Sequence, residues 1–397
     1  MSQTDKYKEM GVEADKGVVE EIFKTIVSND FPHAFINIVR DPTAPGFVKS
    51  KKADGDGSKP VYRCIFFFEK KDPAIFQGGA HDAFAMPLGD ICASGLYHDL
   101  EITDTIAINL LNVPKEIILE ELKKGMSWLL NLYRSYGFRI THFGGETADL
   151  PIQTGSFIMD VDVRGRAPEV YGIYGNVQPG DAIFGFASDG KAAWEEKERS
   201  PIMSNGLTLA ARIILHADYA KAYPFLTHPT KPYQGRFRFG EVIPGVGMTV
   251  EDALLSPTRQ FPILFKLLIE KLKERHALHL LHGITLNSGG GATKILRLGD
   301  RIRYVKTMPD QPAFFSFIQE EGRVPGREMY KDFNNGVGSD IIGSYGGGIL
   351  ESVLREVSEE TQVKLFFLGD CERAEEENEV ILRTDKETFT YKKSEME

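Results

Sequence analysis

The stretch PKEIILEELKKGMSWLLNLYRSYGFRITHFGGETAD, residues 114–149, decides the expected fold class. Pro114 suits a helix start, and Gly137 suits a stop. Between them Ile118, Leu122, Met126, Leu129 and Tyr133 recur at helical spacing, so a helix with one apolar stripe is expected over 115–136. Arg139-Ile140-Thr141 then reads as a short strand running into Gly144-Gly145-Glu146-Thr147-Ala148-Asp149. That segment reads as a glycine-led turn with two carboxylates, and Thr147 and Asp149 would also serve as helix N-caps. A helix feeding a strand is a unit of α/β or α+β architecture.

The same alternation extends both ways. Residues 157–163 read as a strand with Met159, Val161 and Val163 on one face and Asp160 and Asp162 on the other. Upstream, residues 62–68 are rich in aromatic and β-branched types and are expected to be a strand. Around 165–180 the pattern breaks into Pro- and Gly-containing sequence, and Pro179-Gly180-Asp181 precedes a strand at 182–186. A boundary there divides the chain into residues 1–174 and 175–397. The second half carries an expected helix at 207–215 and a polar, proline-bearing excursion at 222–250. A helix at about 259–275, a strand at 278–285 and Gly289-Gly290-Gly291 follow. The tail from Cys371 is charged, with a frayed end expected.

At 397 residues and 42% hydrophobic content, two folded domains are expected. A net charge of −10 disfavours non-specific nucleic-acid binding. Three widely spaced cysteines imply neither a disulfide framework nor a zinc knuckle. No apolar run approaches a membrane span, so a soluble, cytoplasmic protein is expected. His276, His279 and His282 do not converge on a strand or a helix, so packing or hydrogen-bonding roles are expected for them. No G-x-S-x-G elbow is present.

Asp54-Gly55-Asp56-Gly57-Ser58-Lys59 combines carboxylates, a hydroxyl and an ammonium with two glycines that permit close backbone approach. Such a loop can cradle an anion, with lysine on phosphate and aspartate on a bridging cation. It can equally be an exposed turn. Asp82 and Asp90 stand eight apart, near one face of a helix, although Pro87 between them would kink or break it. If these clusters meet Glu146 and Asp149 around a polyphosphate, a cation is required: an unscreened contact at ~4 Å costs roughly 4 kcal/mol at an effective dielectric near 20. Oxygen ligands without a His or Cys cluster point to Mg²⁺. In the second half, Ser204-Asn205-Gly206 opens a helix and Ser288-Gly289-Gly290-Gly291 is glycine-rich; both are candidate anion sites or plain caps and turns.

In this order the motifs resemble the aminoimidazole ribonucleotide synthetase (phosphoribosylformylglycinamidine cyclo-ligase) family over nearly the whole chain. Tyr7-Lys8-Glu9-Met10-Gly11-Val12 is similar to the family's Y-K-x-x-G-V, and 54–59 to D-G-x-G-T-K with Ser58 for threonine. Asp82, Met86 and Asp90 fit D-x-x-x-M-x-x-N-D, with Gly89 where asparagine is usual. Residues 144–149 fit G-G-E-T-A-E, with Asp149 last. Ser204-Asn205-Gly206, Leu255-Ser256-Pro257-Thr258-Arg259 and the region 282–291 resemble S-N-G, L-x-P-T-R and H-x-x-x-H-x-T-G-G-G. The longest match is 328–338, which resembles E-M-Y-R-T-F-N-C-G-V-G.

The resemblance implies a two-domain PurM-like α/β (α+β) architecture. Its N-terminal sheet domain would form a barrel in a homodimer, beside a C-terminal α/β domain. It implies ATP and Mg²⁺, with Asp54, Asp90 and Glu146 as metal ligands and Lys59, Asp90 and Glu146 in catalysis. The nucleotide would meet Asp54, Gly55, Gly57, Ser58, Lys59, Asp82, Asp90, Gly144, Gly145, Glu146 and Thr147. The substrate would meet Ser204, Asn205, Gly206, His282, Gly289 and Gly290. The implied reaction is ATP-dependent ring closure of formylglycinamidine ribonucleotide in purine biosynthesis, through phosphorylation of the formyl amide oxygen. Leu286 replaces the usual second histidine, Met203 replaces the residue before S-N-G, and the 189–203 segment is longer than usual. Two alternatives therefore stand: a relative using ATP on another amide or phosphate acceptor, and a nucleotide-binding homologue without catalysis.

Overall fold

The computed structural model describes residues 6–11, 22–23 and 25–396, so Val12 of the N-terminal motif lies outside them. Two sheets organise the chain. The first comprises β1 (Val39–Arg40), β2 (Phe47–Gly55), β3 (Asp99–Ile108), β4 (Ile140–Asp149) and β5 (Phe157–Pro168), in the order β1-β2-β5-β3-β4. β3 and β4 are parallel and the other pairs antiparallel. The second comprises β6 (Ala182–Ala187), β7 (Leu281–Ile284), β8 (Ile302–Thr307), β9 (Val337–Gly343), β10 (Leu365–Arg373), β11 (Glu379–Arg383) and β12 (Thr388–Lys392). Its order is β12-β11-β8-β10-β6-β9-β7.

The principal helices are α1 (Lys59–Lys70), α2 (Gln77–Ala93), α3 (Lys115–Ser135), α4 (Leu207–Ile214), α5 (Val250–Leu255), α6 (Phe261–Glu274), α7 (Ala313–Gly322), α8 (Gly326–Asp332) and α9 (Ile349–Thr361). α3 is the parallel crossover between β3 and β4, and Ile118, Leu122, Leu129 and Tyr133 are its buried stripe. Gly137 ends the segment at φ +73°, as its place after the stripe suggests. α2 packs on β2, β5, α3 and α6. Burial on nearly every side fits its apolar composition. Gly125 and Gly79 allow close approach there: a Cβ at Gly125 would lie 2.3 Å from the Gln77 carbonyl, and one at Gly79 2.9 Å from Leu122 Cδ2.

Three expectations are corrected. Residues 62–68 are helical, inside α1, where the buried Tyr62, Ile65 and Phe66 share an apolar face and Pro60 occupies the first turn. Tertiary burial overrides their strand propensity. Pro87 lies within a helix that continues to Ala93, because packing on all sides offsets the one backbone bond it removes. Residues 144–149 belong to β4, paired with β3, and form no turn. The charged tail pairs as the β11–β12 hairpin at the edge of the second sheet; charges on exposed faces of alternating strands are compatible with Val380, Leu382 and Tyr391 facing inward. Cys64, Cys92 and Cys371 are buried and unbridged. Among the described residues no helix is long and apolar enough to cross a membrane.

Candidate active site

Asp54 and Gly55 close β2, residues 56–58 turn, and Lys59 begins α1. Gly57 takes φ +64°, a left-handed conformation that favours glycine. A Cβ at Gly55 would lie 2.0 Å from Asp160 Oδ1, so the carboxylate on β5 leans over bare backbone. The backbone of this turn faces the second half of the chain: a Cβ at Gly57 would lie 4.0 Å from the Ser204 carbonyl, and Thr208 donates to the Ser58 hydroxyl at 3.1 Å.

The Lys59 side chain does not follow the backbone. It is fully buried, donating to Asp82 Oδ1 at 2.7 Å and to the Ser256 carbonyl at 2.6 Å. Arg63 pairs with the other Asp82 oxygen, and Thr258 donates to Asp82 through its amide at 2.8 Å and through its hydroxyl. Burial pulls the Lys59 ammonium down to about 8 against the pull of Asp82. Burial alone would raise Asp82, but Lys59 and Arg63 outweigh it and hold the carboxyl below its usual range. Lys59 and Asp82 therefore clasp α1 and α2 to the 256–258 segment, and in this structure both side chains, expected at a nucleotide, are engaged with protein groups. Asp56 is also fully buried. Burial, opposed by Arg63, keeps it protonated well above the usual carboxylate range, and its Oδ2 has no hydrogen-bond partner.

The second-half motifs converge on the same turn. Ser204 Oγ lies 3.2 Å from Thr258 Oγ1, and Asn205 donates to the Asp332 carbonyl. A Cβ at Gly289 would lie 3.7 Å from Asn205 Oδ1, and Lys294 donates to the Gly289 carbonyl at 2.9 Å. Phe333 explains two glycines. A Cβ at Gly206 (φ +72°) would strike its ring at 2.1 Å, and one at Gly291 its carbonyl at 2.4 Å. Asn334 accepts from Ser188 at 2.9 Å and donates to the Pro201 carbonyl at 2.8 Å. Residues 332–334 thus hold both glycine turns in place. Arg259 fixes the long 189–203 segment, bonding Glu195 and the carbonyls of Ala187, Asp189 and Gly190.

The acidic residues are dispersed. Asp54 shares a row of the first sheet with Val161, Asp104 and Gly145, whereas Glu146 is in register with Thr105 and Asp160 on the opposite, outer face. β2 and β4 are three strands apart, about 14 Å at normal strand spacing. Asp90, on α2, pairs with Lys52 at 3.2 Å, and Asp149 with Lys115 at 2.6 Å. Among the described residues no three His, Cys, Asp or Glu side chains could hold a metal ion together. The expected set Asp54, Asp90 and Glu146 is therefore not assembled as a cage, because strand alternation sends Glu146 outward. Asp160, missed as a site residue, sets its carboxyl against the Gly55 backbone; burial, and next the Asp54 charge, pushes it up. Its alternation with buried Met159 and Val161 was its only signal. His282 stands apart, at the opposite end of β7 from Gly289, with Nδ1 2.7 Å from Asp181.

No model of a known protein family matches the chain. Its fold matches phosphoribosylformylglycinamidine synthase II from Thermotoga maritima (TM-score 0.55, 11% identity, 97% of this chain and 50% of that one). It also matches T. maritima PurL complexed with ATP (0.55, 11%, 98% and 51%) and thiamine monophosphate kinase from Aquifex aeolicus (0.52, 12%, 94% and 97%). The architecture is therefore the PurM-like α/β fold.

Sequence relatives narrow this class. A phosphoribosylformylglycinamidine cyclo-ligase of Methanococcus maripaludis is 31% identical over 348 residues, covering 78% of this chain and 87% of that protein. Another, from Methanococcus vannielii, is 29% identical over 343 residues, covering 77% and 85%. The chain belongs to the phosphoribosylformylglycinamidine cyclo-ligase family.

Proposed function

We propose that this protein closes the imidazole ring of aminoimidazole ribonucleotide from formylglycinamidine ribonucleotide, at the expense of ATP, as a cytoplasmic enzyme of purine biosynthesis. The observation that carries the proposal is the convergence of the 54–58 turn with Ser204-Asn205-Gly206 and with 289–291. Three stretches of bare backbone from both halves of the chain meet, as binding a polyphosphate beside a second ligand requires. Residues 1–174 form the nucleotide-holding unit in this proposal, and 175–397 supply the ribonucleotide side.

The residues fit Mg²⁺ brought in on the nucleotide. Mg²⁺ keeps several waters and takes one or two carboxylates plus phosphate oxygens, so a three-carboxylate cage is not needed. Asp54 and Asp90 would hold it: Lys52, which pairs with Asp90 at 3.2 Å, lies two residues before Asp54 on the same face of β2. Bound there, Mg²⁺ would neutralise charge on the transferring phosphoryl group.

The reaction moves the γ-phosphoryl group to the formyl oxygen and releases ADP. The amidine nitrogen then attacks the formyl carbon, the C–O bond breaks with phosphate as leaving group, and the nitrogen loses a proton. The chain's task is positioning. Ser58 and Gly57 offer backbone to phosphates, and Gly289, Gly290 and Asn205 bound the other side. Lys59 acts indirectly, by fixing the start of α1. Glu146, on the edge strand β4, faces outward, where a second copy of the chain would pair its first sheet; Phe143 and Ile158 are exposed there. Sedimentation at a dimer mass checks that pairing.

Purified protein should form ADP and ring-closed product in equal amounts from formylglycinamidine ribonucleotide and MgATP. One observation favours a second reading, ATP chemistry on a different amide or phosphate acceptor: the apolar, buried Leu286 in place of histidine. ATP binding without turnover of this ribonucleotide supports that alternative.

A further inference from the structure

The two departures at Gly89 and Leu286 meet in space. A Cβ on Gly89 would lie 2.5 Å from Leu286 Cδ2 and 3.6 Å from Cγ, so the leucine occupies the volume that any other residue at 89 would need. Leu286 is 1% exposed. Gly89 lies on α2 beneath the first sheet, immediately before Asp90; Leu286 lies at the edge of the second sheet, two residues before Ser288.

The leucine is held from behind. Strand alternation turns Thr285 and Asn287 to the face opposite Leu286. There the Asn287 amide donates to the Val337 carbonyl and to Asp340, each at 3.2 Å, and accepts from the Thr285 hydroxyl at 2.7 Å. Asp340 is in turn paired with the fully buried Lys306. Beyond the leucine, the Ser288 amide bonds the Leu286 carbonyl at 2.9 Å, and the Gly291 amide bonds the Ser288 carbonyl at 3.0 Å. The glycine turn is thus built directly on the Leu286 backbone.

We propose that Leu286 is a positioning residue: seated in the notch left by Gly89, it sets the spacing between Asp90 and the 288–291 turn across the cleft. The two substitutions are one compensated pair. This rests on the proposed ring closure only for where activity is read.

The test compares wild type with Gly89→Ala, Leu286→Ala, Leu286→Met and the Gly89→Ala/Leu286→Ala double variant. Ring-closure kcat and KM, melting temperature and MgATP affinity by calorimetry are measured for each. Leu286→Ala should lower kcat about tenfold at nearly unchanged KM for the ribonucleotide, and Leu286→Met should restore most of it. Gly89→Ala should cost tenfold or more in the wild-type background and less than twofold in the Leu286→Ala background. Equal cost of Gly89→Ala in both backgrounds, or a Leu286→Ala kcat within twofold of wild type, overturns the proposal. Should Gly89→Ala fail to fold, the Leu286→Ala and Leu286→Met comparison decides. Should wild type bind MgATP yet close no ring, the functional reading fails separately. The same pattern is then required in MgATP affinity, and its absence there overturns the positioning role.

Discussion

Lys59 Nζ lies 2.7 Å from Asp82 Oδ1, and neither side chain reaches solvent. A lysine that opens a helix at the end of a glycine turn has been turned inward to clasp a carboxylate on the next helix. Removing one partner of a buried pair strands the other charge, at a cost of about 3–5 kcal/mol. Lys59→Ala should therefore lose stability and activity together, with urea unfolding showing a fall of that order. Full stability with lost turnover would instead place the ammonium on the nucleotide.

Asp56 predicts a pH dependence. Its native pKa lies well above 3.8, raised by burial. Above pH 4 the unfolded chain has released a proton that the native protein retains, so this group lowers stability as pH rises, by up to about 1.4 kcal/mol per unit. Urea unfolding from pH 4 to 8 should show a shallower decline for Asp56→Asn than for wild type. An unchanged slope would show that Asp56 ionises in the native state.

His282 acts with similar sign from a raised cationic pKa. The hydrogen bond to Asp181 holds its imidazolium above 6.5. That stabilisation is complete below pH 6.5 and is lost as pH rises through the native pKa. His282→Asn should flatten the fall in melting temperature on the alkaline side of neutrality. Because both His282 ring nitrogens are taken up by Asp181 and the His279 carbonyl, kcat should stay within about twofold.

Gly206 tests the role of Phe333. An alanine there meets a left-handed φ of +72° and an aromatic ring at 2.1 Å. Backbone strain of this kind alone costs about 1–3 kcal/mol. Gly206→Ala should raise KM for substrate several-fold and lower the melting temperature, as read by steady-state kinetics and calorimetry.

Much of the framework was legible in the sequence, because local signals agreed with tertiary needs. α3 followed from its stripe with Pro114 and Gly137, β5 from alternation, and β6 from its place after Pro179-Gly180-Asp181. The strand expected at 62–68 failed because aromatic residues at helical spacing served a buried face instead. At 144–149 the glycines suggested a turn, but they are carried within β4. The candidate site was legible as a set of segments, and the turns at 54–59, 204–206 and 289–291 do meet. Side-chain directions were not legible: Lys59 turns inward only because Asp82, Ser256 and Thr258 wait there, and Glu146 faces outward only because of its register with Thr105. The meeting of Gly89 with Leu286 likewise depends on contacts between segments nearly two hundred residues apart.

The most direct test of the central claim follows the formyl oxygen. Formylglycinamidine ribonucleotide labelled with ¹⁸O at the formyl group is incubated with the protein, ATP and Mg²⁺, and the phosphate released is analysed by mass spectrometry. Phosphorylation of that oxygen followed by ring closure predicts one ¹⁸O atom in each phosphate, one ADP per ring formed, and no turnover in excess chelator. Unlabelled phosphate, or ADP released with no ring-closed product, would contradict it.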